Sequence, residues 1–157
     1  MDLLEIEGIS FHFLLTLLSE VGLDLSKFPS AKHFVSWLSL CPDKKVSGGK
    51  VLSSKTRKNK GRLRQAFRQA AIGASKIKDN PLAHFYWRMA SRNDKGTAIT
   101  ATARKLAIIV YNMIEKKQAY RPEQLEEYQH KVRTQKIKQI QRTIQKLEVQ
   151  EHELAFA

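Results

Sequence analysis

The sequence predicts an all-α protein: a helix-hairpin-helix start, a compact helical domain carrying a basic loop, and a long charged C-terminal helix. Three observations predict it. Apolar residues recur at three- and four-residue spacing through most of the chain, Gly and Pro breaks separate these stretches at helix-sized intervals, and no alternating run competes with them. With 157 residues, 42% of them hydrophobic, the chain can bury one core of ordinary size. The expected division is a helical domain over 1–118, with the hairpin near 3–22 and the basic loop over 42–60, followed by a charged helical tail over 119–157.

Leu3 to Ile6 reads as a short helix end, Gly8-Ile9-Ser10 as a tight turn, and Phe11 to Val21 as a helix capped by Ser10 and stopped at Gly22. Ser30 can cap a further helix through Phe34, Trp37 and Leu38, ending before Pro42 because the residue preceding proline resists helical geometry. A polar loop follows over 42–54. The helical period resumes from about Lys58 to Lys76 with Leu63, Phe67, Ala70, Ala71 and Ala74 on one stripe. Asp79-Asn80-Pro81 breaks it and puts proline in the first turn of a helix running to about Arg92. Thr97 is a candidate cap for Ala98 to Ile114, whose alanines and Leu106, Ile108, Ile109, Val110 and Met113 suit a central helix packed on its neighbours. After Tyr120-Arg121-Pro122 the chain becomes charged and glutamine-rich. There Ile137, Ile140, Ile144 and Leu147 follow a 3-4-3 spacing, with Glu151 at the next seam position, a pattern equally suited to docking on the body and to self-association.

Charge narrows the partner. The thirty-five residues from Lys44 to Lys78 hold twelve Lys or Arg and no Asp or Glu, within a chain of formal charge +13. A polyanion rewards such clustering, since each cation seated on a phosphate releases condensed counterions. A merely solvated face would not need the apolar stripe interleaved with the charges. The best apolar run, Ala98 to Ile114, is interrupted by Arg104 and Lys105, so no membrane span is expected. Asp2, Glu5 and Glu7 stand where a signal peptide would be positive, and a cytoplasmic location is expected. The one cysteine, Cys41, has no disulfide partner and reads as a small apolar residue.

Several chemistries lack their residues. His12, His33, His84, His130 and His152 stand outside metal-ligand spacing of one another and of Cys41, so no metal site is predicted. Acids concentrate at the two ends of the chain rather than beside the basic loop, where magnesium-assisted phosphodiester chemistry would need them. Gly48-Gly49-Lys50 lacks the upstream glycine and following Ser or Thr of a P-loop. The turn around Gly8 and Ser10 could offer backbone amides to a phosphate, against which Glu7 works; alternatively, two helices simply pack there. Ser47, Ser53 and Ser54 lie among Lys44, Lys45, Lys50, Lys55 and Arg57. They are either turn formers or candidate nucleophiles whose surrounding cations would stabilise an alkoxide and a pentavalent phosphate.

The ordered set Gly8-Ile9-Ser10, Leu14 to Gly22, Phe28-Pro29-Ser30 through Cys41-Pro42, Ser47-Gly48-Gly49-Lys50, Thr56-Arg57-Lys58 and Leu63-Arg64 resembles the C-terminal transposase domain of the IS110, IS116 and IS902 insertion-sequence family. The likeness continues through Ala83-His84-Phe85-Tyr86 and Ala103 to Ala107 to Tyr120-Arg121. It implies a DNA recombinase whose full-length members join an RuvC-like domain with acidic metal ligands to a domain with a catalytic serine. That serine attacks a DNA phosphodiester, and the phosphoserine link conserves the bond energy for rejoining without ATP. The resemblance also implies a structured guide RNA, homo-oligomers, and magnesium only in company with the acidic domain, with no cofactor in this chain.

By position, Ser47 matches the nucleophile, with Ser53 as runner-up, while Lys50, Lys55, Arg57, Lys58, Arg62 and Arg64, together with Gly8 and Ser10, would contact nucleic acid. The chain departs from the family in reading Lys58-Asn59-Lys60 where members usually read Lys-Gly-Asn, and in lacking a turn glycine near Ser10. The sequence starts almost at the hairpin, without the acidic domain, so this chain alone is not expected to transpose. The competing expectation is a non-catalytic nucleic-acid-binding module or remnant whose serines are ordinary loop residues.

Overall fold

Each helix forms where a local start signal meets an apolar stripe that has something to cover. In the computed structural model, which describes residues 2–117, 119–120 and 125–147, a single 3-10 turn, Leu3–Glu5, precedes α1 (Phe11–Glu20) and α2 (Ala31–Trp37). A two-stranded hairpin, β1 (Lys45–Ser47) and β2 (Lys50–Ser53), leads to α3 (Arg62–Ser75), α4 (Pro81–Ala90), α5 (Lys95–Lys116) and α6 (Leu125–Leu147). The architecture is helical, as the periodicity predicts. The chain divides into two compact units, Met1–Pro122 and Glu123–Ala157. Glu151 and the Arg121-Pro122 step lie outside the described residues.

Capping follows side-chain chemistry, with three corrections. Ser10 Oγ accepts from the Phe13 amide and Asn80 Oδ1 from that of Leu82, 2.7 Å away, with Pro81 opening α4. α5 begins earlier than Thr97, because Asp94 is the cap, its Oδ1 accepting from the Thr97 amide at 2.9 Å. The Thr97 hydroxyl, which donates to Asp94 Oδ2, and then that amide hold the Asp94 carboxyl below the usual aspartate range. Ser30 stands at the N-cap of α2, but its hydroxyl meets His33 Nδ1 at 2.9 Å instead of a backbone amide. α3 starts at Arg62 rather than near Lys58, since Asn59 organises the preceding turn: its Oδ1 accepts from the Gly61 amide at 2.7 Å and its Nδ2 donates to Ser39 Oγ.

The core of the first unit is an aromatic and aliphatic centre on which α3 and α5 lie side by side. Phe67 meets Phe13 and Phe34 edge-on, with ring centres 4.8 and 6.1 Å apart, a preferred arrangement for aromatic quadrupoles. Leu106, Ala107 and Val110 of α5 are fully buried against this centre, as the central-helix expectation holds. Cys41 is half-buried against the same cluster.

The turn before α1 is seated on α3 by missing side chains. Gly8 has φ +89°, and a Cβ there would stand 2.3 Å from the Ala70 carbonyl oxygen and 2.6 Å from the Ala74 nitrogen. Gly73 approaches Gly8 from the α3 side at the same contact. Nearby, Tyr120 donates to Glu7 Oε2 at 2.8 Å, and burial first, then that bond, pushes the Tyr120 phenol well above its usual range. Glu7 is thus half-buried and engaged by a tyrosine rather than standing free in front of the turn.

In the second unit, Ile137 and Ile140 are exposed on α6 and Ile144 is half-buried. No helix among the described residues is long and apolar enough to cross a membrane.

Candidate nucleic-acid interface

The segment read from sequence as a polar loop is a β-hairpin with a two-residue turn. Gly48 and Gly49 have φ of 55° and 73°, the pair of positive values a type I′ turn requires and glycine supplies at no steric cost. Both glycines stand in open space. Ser47 faces Lys50, Val46 faces Val51, and Lys45 faces Ser53 across an irregularity that sets Leu52 outside the pairing. Directly paired residues share a face and successive ones alternate, so Ser47 and Lys50 share one face and Val46 and Val51 the other. The strands are short and Val46, Val51 and Leu52 are 58%, 59% and 70% exposed. No burial stripe betrays them, although Gly-Gly between Val-Ser and Lys-Val is itself a hairpin signal.

At its base the hairpin is closed by the Pro42–Thr56 bridge and by the Asp43 amide donating to the Lys55 carbonyl at 3.0 Å. Arg57 Nε reaches Asp43 Oδ2 at 3.8 Å between two exposed side chains, a pair of little energetic weight. Ser53 Oγ accepts from the Lys55 amide at 3.3 Å, which ties the runner-up serine into the loop, whereas Ser47 is fully on the surface beside the turn.

The acid-free stretch does not stay acid-free once folded. Glu20, at the end of α1, accepts from Arg62 Nε at 3.0 Å and from the Leu63 amide at 3.4 Å. Gly61 offers no side chain to cap α3, so the Glu20 carboxylate takes that place, where the helix dipole favours an anion. Arg62 therefore has an internal partner, though its side chain remains 80% exposed. Arg64 is half-buried; its Nη1 donates to the Asn59 carbonyl at 2.9 Å, while its Nε is buried without a hydrogen-bond partner. Burial, then the neighbouring Arg68 charge, lowers its pKa, and its geometry is that of a cation bracing the turn before α3. Lys50, Lys55, Arg57 and Lys58 are exposed.

Two open grooves flank these elements. One, of about 770 Å³ between α1 and α3, brings Gly8, Ser10 and Arg62 together with His12, Thr16 and Gln69. Gly8 there serves close packing and Ser10 the capping of α1. The second, of about 860 Å³, lies beyond the hairpin base and combines Lys55 with Phe85, Met89, Arg104, Lys105 and Ile108. The predicted residues thus fall into a hairpin group and an α1–α3 group. Glu20 and the second groove's α4 and α5 residues were not singled out for these roles, because their partners are far away in sequence; Asn59, whose partners Gly61 and Arg64 are near it, was read only as a departure from the family pattern. Among the described residues, no three His, Cys, Asp or Glu side chains converge to hold a metal ion.

The fold and surface define a helical domain that carries a glycine-tipped, lysine-rich hairpin beside a helix start braced by arginines. The chain belongs to the transposase IS116/IS110/IS902 family, whose model matches residues 2–87, more than half of its length. This places it in insertion-sequence transposition. A search among curated proteins finds no match.

Proposed function

We propose that this chain is the DNA-binding, serine-bearing C-terminal domain of an insertion-sequence transposase, with the hairpin as the element that meets DNA and Ser47 as the nucleophile. One observation carries the reading: the register that sets Ser47 opposite Lys50 beside an exposed Gly-Gly turn. A serine there is open to a phosphodiester, and a lysine across from it supplies a cation for the non-bridging oxygens. In the step itself, Ser47 Oγ bonds to phosphorus as the P–O bond to the deoxyribose oxygen breaks. The serine proton leaves to a base and the departing oxygen gains one. Both proton partners are assigned to the acidic domain with which family members work, and neither to this chain. Lys50, Lys55, Arg57 and Lys58 hold flanking phosphates in this reading. Arg64 acts as a brace first, and Arg62 is shared with Glu20. Assembly into a homo-oligomer and work beside a guide RNA extend the same reading, to which the exposed Ile137 and Ile140 of α6 lend support for self-association.

The test is a covalent trap. A nicked DNA substrate incubated with this chain and the acidic domain should yield a protein–DNA adduct, lost in Ser47→Ala and kept in Ser53→Ala. Loss only in Ser53→Ala would move the nucleophile to the strand end. No adduct in the wild type, with salt-steep DNA binding intact, would leave a non-catalytic binding module.

A further inference from the structure

We infer that the groove beyond the hairpin base receives the base and sugar of an unpaired nucleotide, its flanking phosphates resting on Lys55, Arg104 and Lys105. The inference rests on the reading that the hairpin binds nucleic acid, and it concerns residues of α4 and α5 that this reading leaves without a task.

Three features point to that occupant. The groove, about 860 Å³, is within the range of small-ligand sites and open at its mouth, which suits a nucleotide still joined to its strand. Phe85, Met89 and Ile108 supply large apolar side chains to its lining, and every ionisable side chain lining it is a cation. A lining that combines large apolar side chains with charge of one sign, all positive, matches a flat, weakly polar base attached to phosphates; a neutral apolar segment would gain nothing from that charge.

One of these cations, Lys105, is also held in place. Lys105 Nζ lies 5.2 Å from the Phe85 ring centre, so the ring positions charge at the groove as well as supplying surface. Behind the wall, Arg68 Nη1 donates to Thr100 Oγ1 at 2.8 Å, and that hydroxyl donates to the Gly96 carbonyl at 2.9 Å. Lys55 belongs both to this lining and to the hairpin base, where its carbonyl accepts from Asp43. Lys55 therefore leads from the hairpin to the groove for a strand held by the hairpin's lysines.

The experiment compares a perfect DNA duplex with the same duplex carrying one extrahelical thymidine, titrated against the full chain by fluorescence anisotropy at fixed salt. The wild type should prefer the extrahelical nucleotide by about tenfold, the scale of stacking one base. Ala101→Phe, which fills the groove, and Arg104→Ala, which removes a rim cation, should each abolish or sharply reduce that preference; circular dichroism establishes that each variant is folded. Lys45→Ala with Lys50→Ala should weaken both substrates alike. Equal wild-type affinities, or a preference that survives both groove variants, overturns the groove assignment and leaves the hairpin reading standing. Failure to bind either substrate overturns both. The same pair in RNA shows which strand chemistry the groove takes: preference with either polymer supports the assignment. A 5-iodouracil at the extrahelical position should crosslink to Phe85 or Met89, and crosslinking only to hairpin residues would count against the groove.

Discussion

The hairpin and the helical body it projects from obey opposite rules. Around Phe67 the large side chains are buried, and rings interlock at about 5 to 6 Å. Along 45–53 the three large apolar side chains are more than half exposed and a Cβ added at either tip glycine would meet nothing. Burial explains the first region, since apolar area removed from water stabilises by roughly 25 cal/mol per Å². It does not explain the second, where short strands, open valines and exposed lysines contribute little to folding. A segment that the core does not require, and that concentrates one sign of charge, is best accounted for by a partner. In this family the partner proposed is nucleic acid.

The contrast can be broken most sharply in the body. Phe67→Ala should lower unfolding free energy by about 3–5 kcal/mol, read by urea denaturation; a loss under about 1 kcal/mol would mean that the aromatic centre is not what holds this unit together. Gly8→Ala comes next. It places a methyl group against the backbone of α3 at a positive φ, and should cost about 3 kcal/mol from overpacking and strain together. A tolerated alanine would show that the turn is not seated on α3.

Asn80→Ala removes the cap of α4 and should cost about 1 kcal/mol, visible as a modest fall in Tm. Val46→Ser with Val51→Ser should change stability by no more than about 0.5 kcal/mol; a larger effect would make the hairpin part of the folding core. Substituting Lys45, Lys50 and Lys58 by Ala should likewise spare stability, while flattening the log–log salt dependence of DNA binding by about one unit of slope for each phosphate that a removed lysine had neutralised. Arg64→Ala sharpens the comparison from the other side, because it removes a brace: stability and binding should fall together, whereas the lysine variants separate them.

Much of the helical body was legible. Ser10 and Asn80, the Pro81 start, and the stripe of Leu63, Phe67, Ala70 and Ala74 are local signals read within a few residues. Asp94 displaced Thr97 as the cap of α5 because an aspartate three residues earlier reaches both the Thr97 amide and its hydroxyl. The hairpin was hidden for a different reason: strand pattern is recognised by the burial of alternate residues, and in this hairpin neither face is buried. The basic stretch was legible as charge, but not as a set of separate tasks for its arginines.

The sequence by itself determined which segments are helical, that one stretch is strongly cationic, and that glycines stand at two turns, since these depend on backbone sterics, breaks and periodicity over short spans. Only the tertiary structure decided that Glu20 reaches across forty-two residues to Arg62, that Arg64 turns inward to the Asn59 carbonyl, and that Lys55 meets Phe85 and Arg104 around one groove. Charge is written residue by residue along the chain. The partner of each charge is set by which helices the core brings together, and that packing acts over distances the local pattern does not encode.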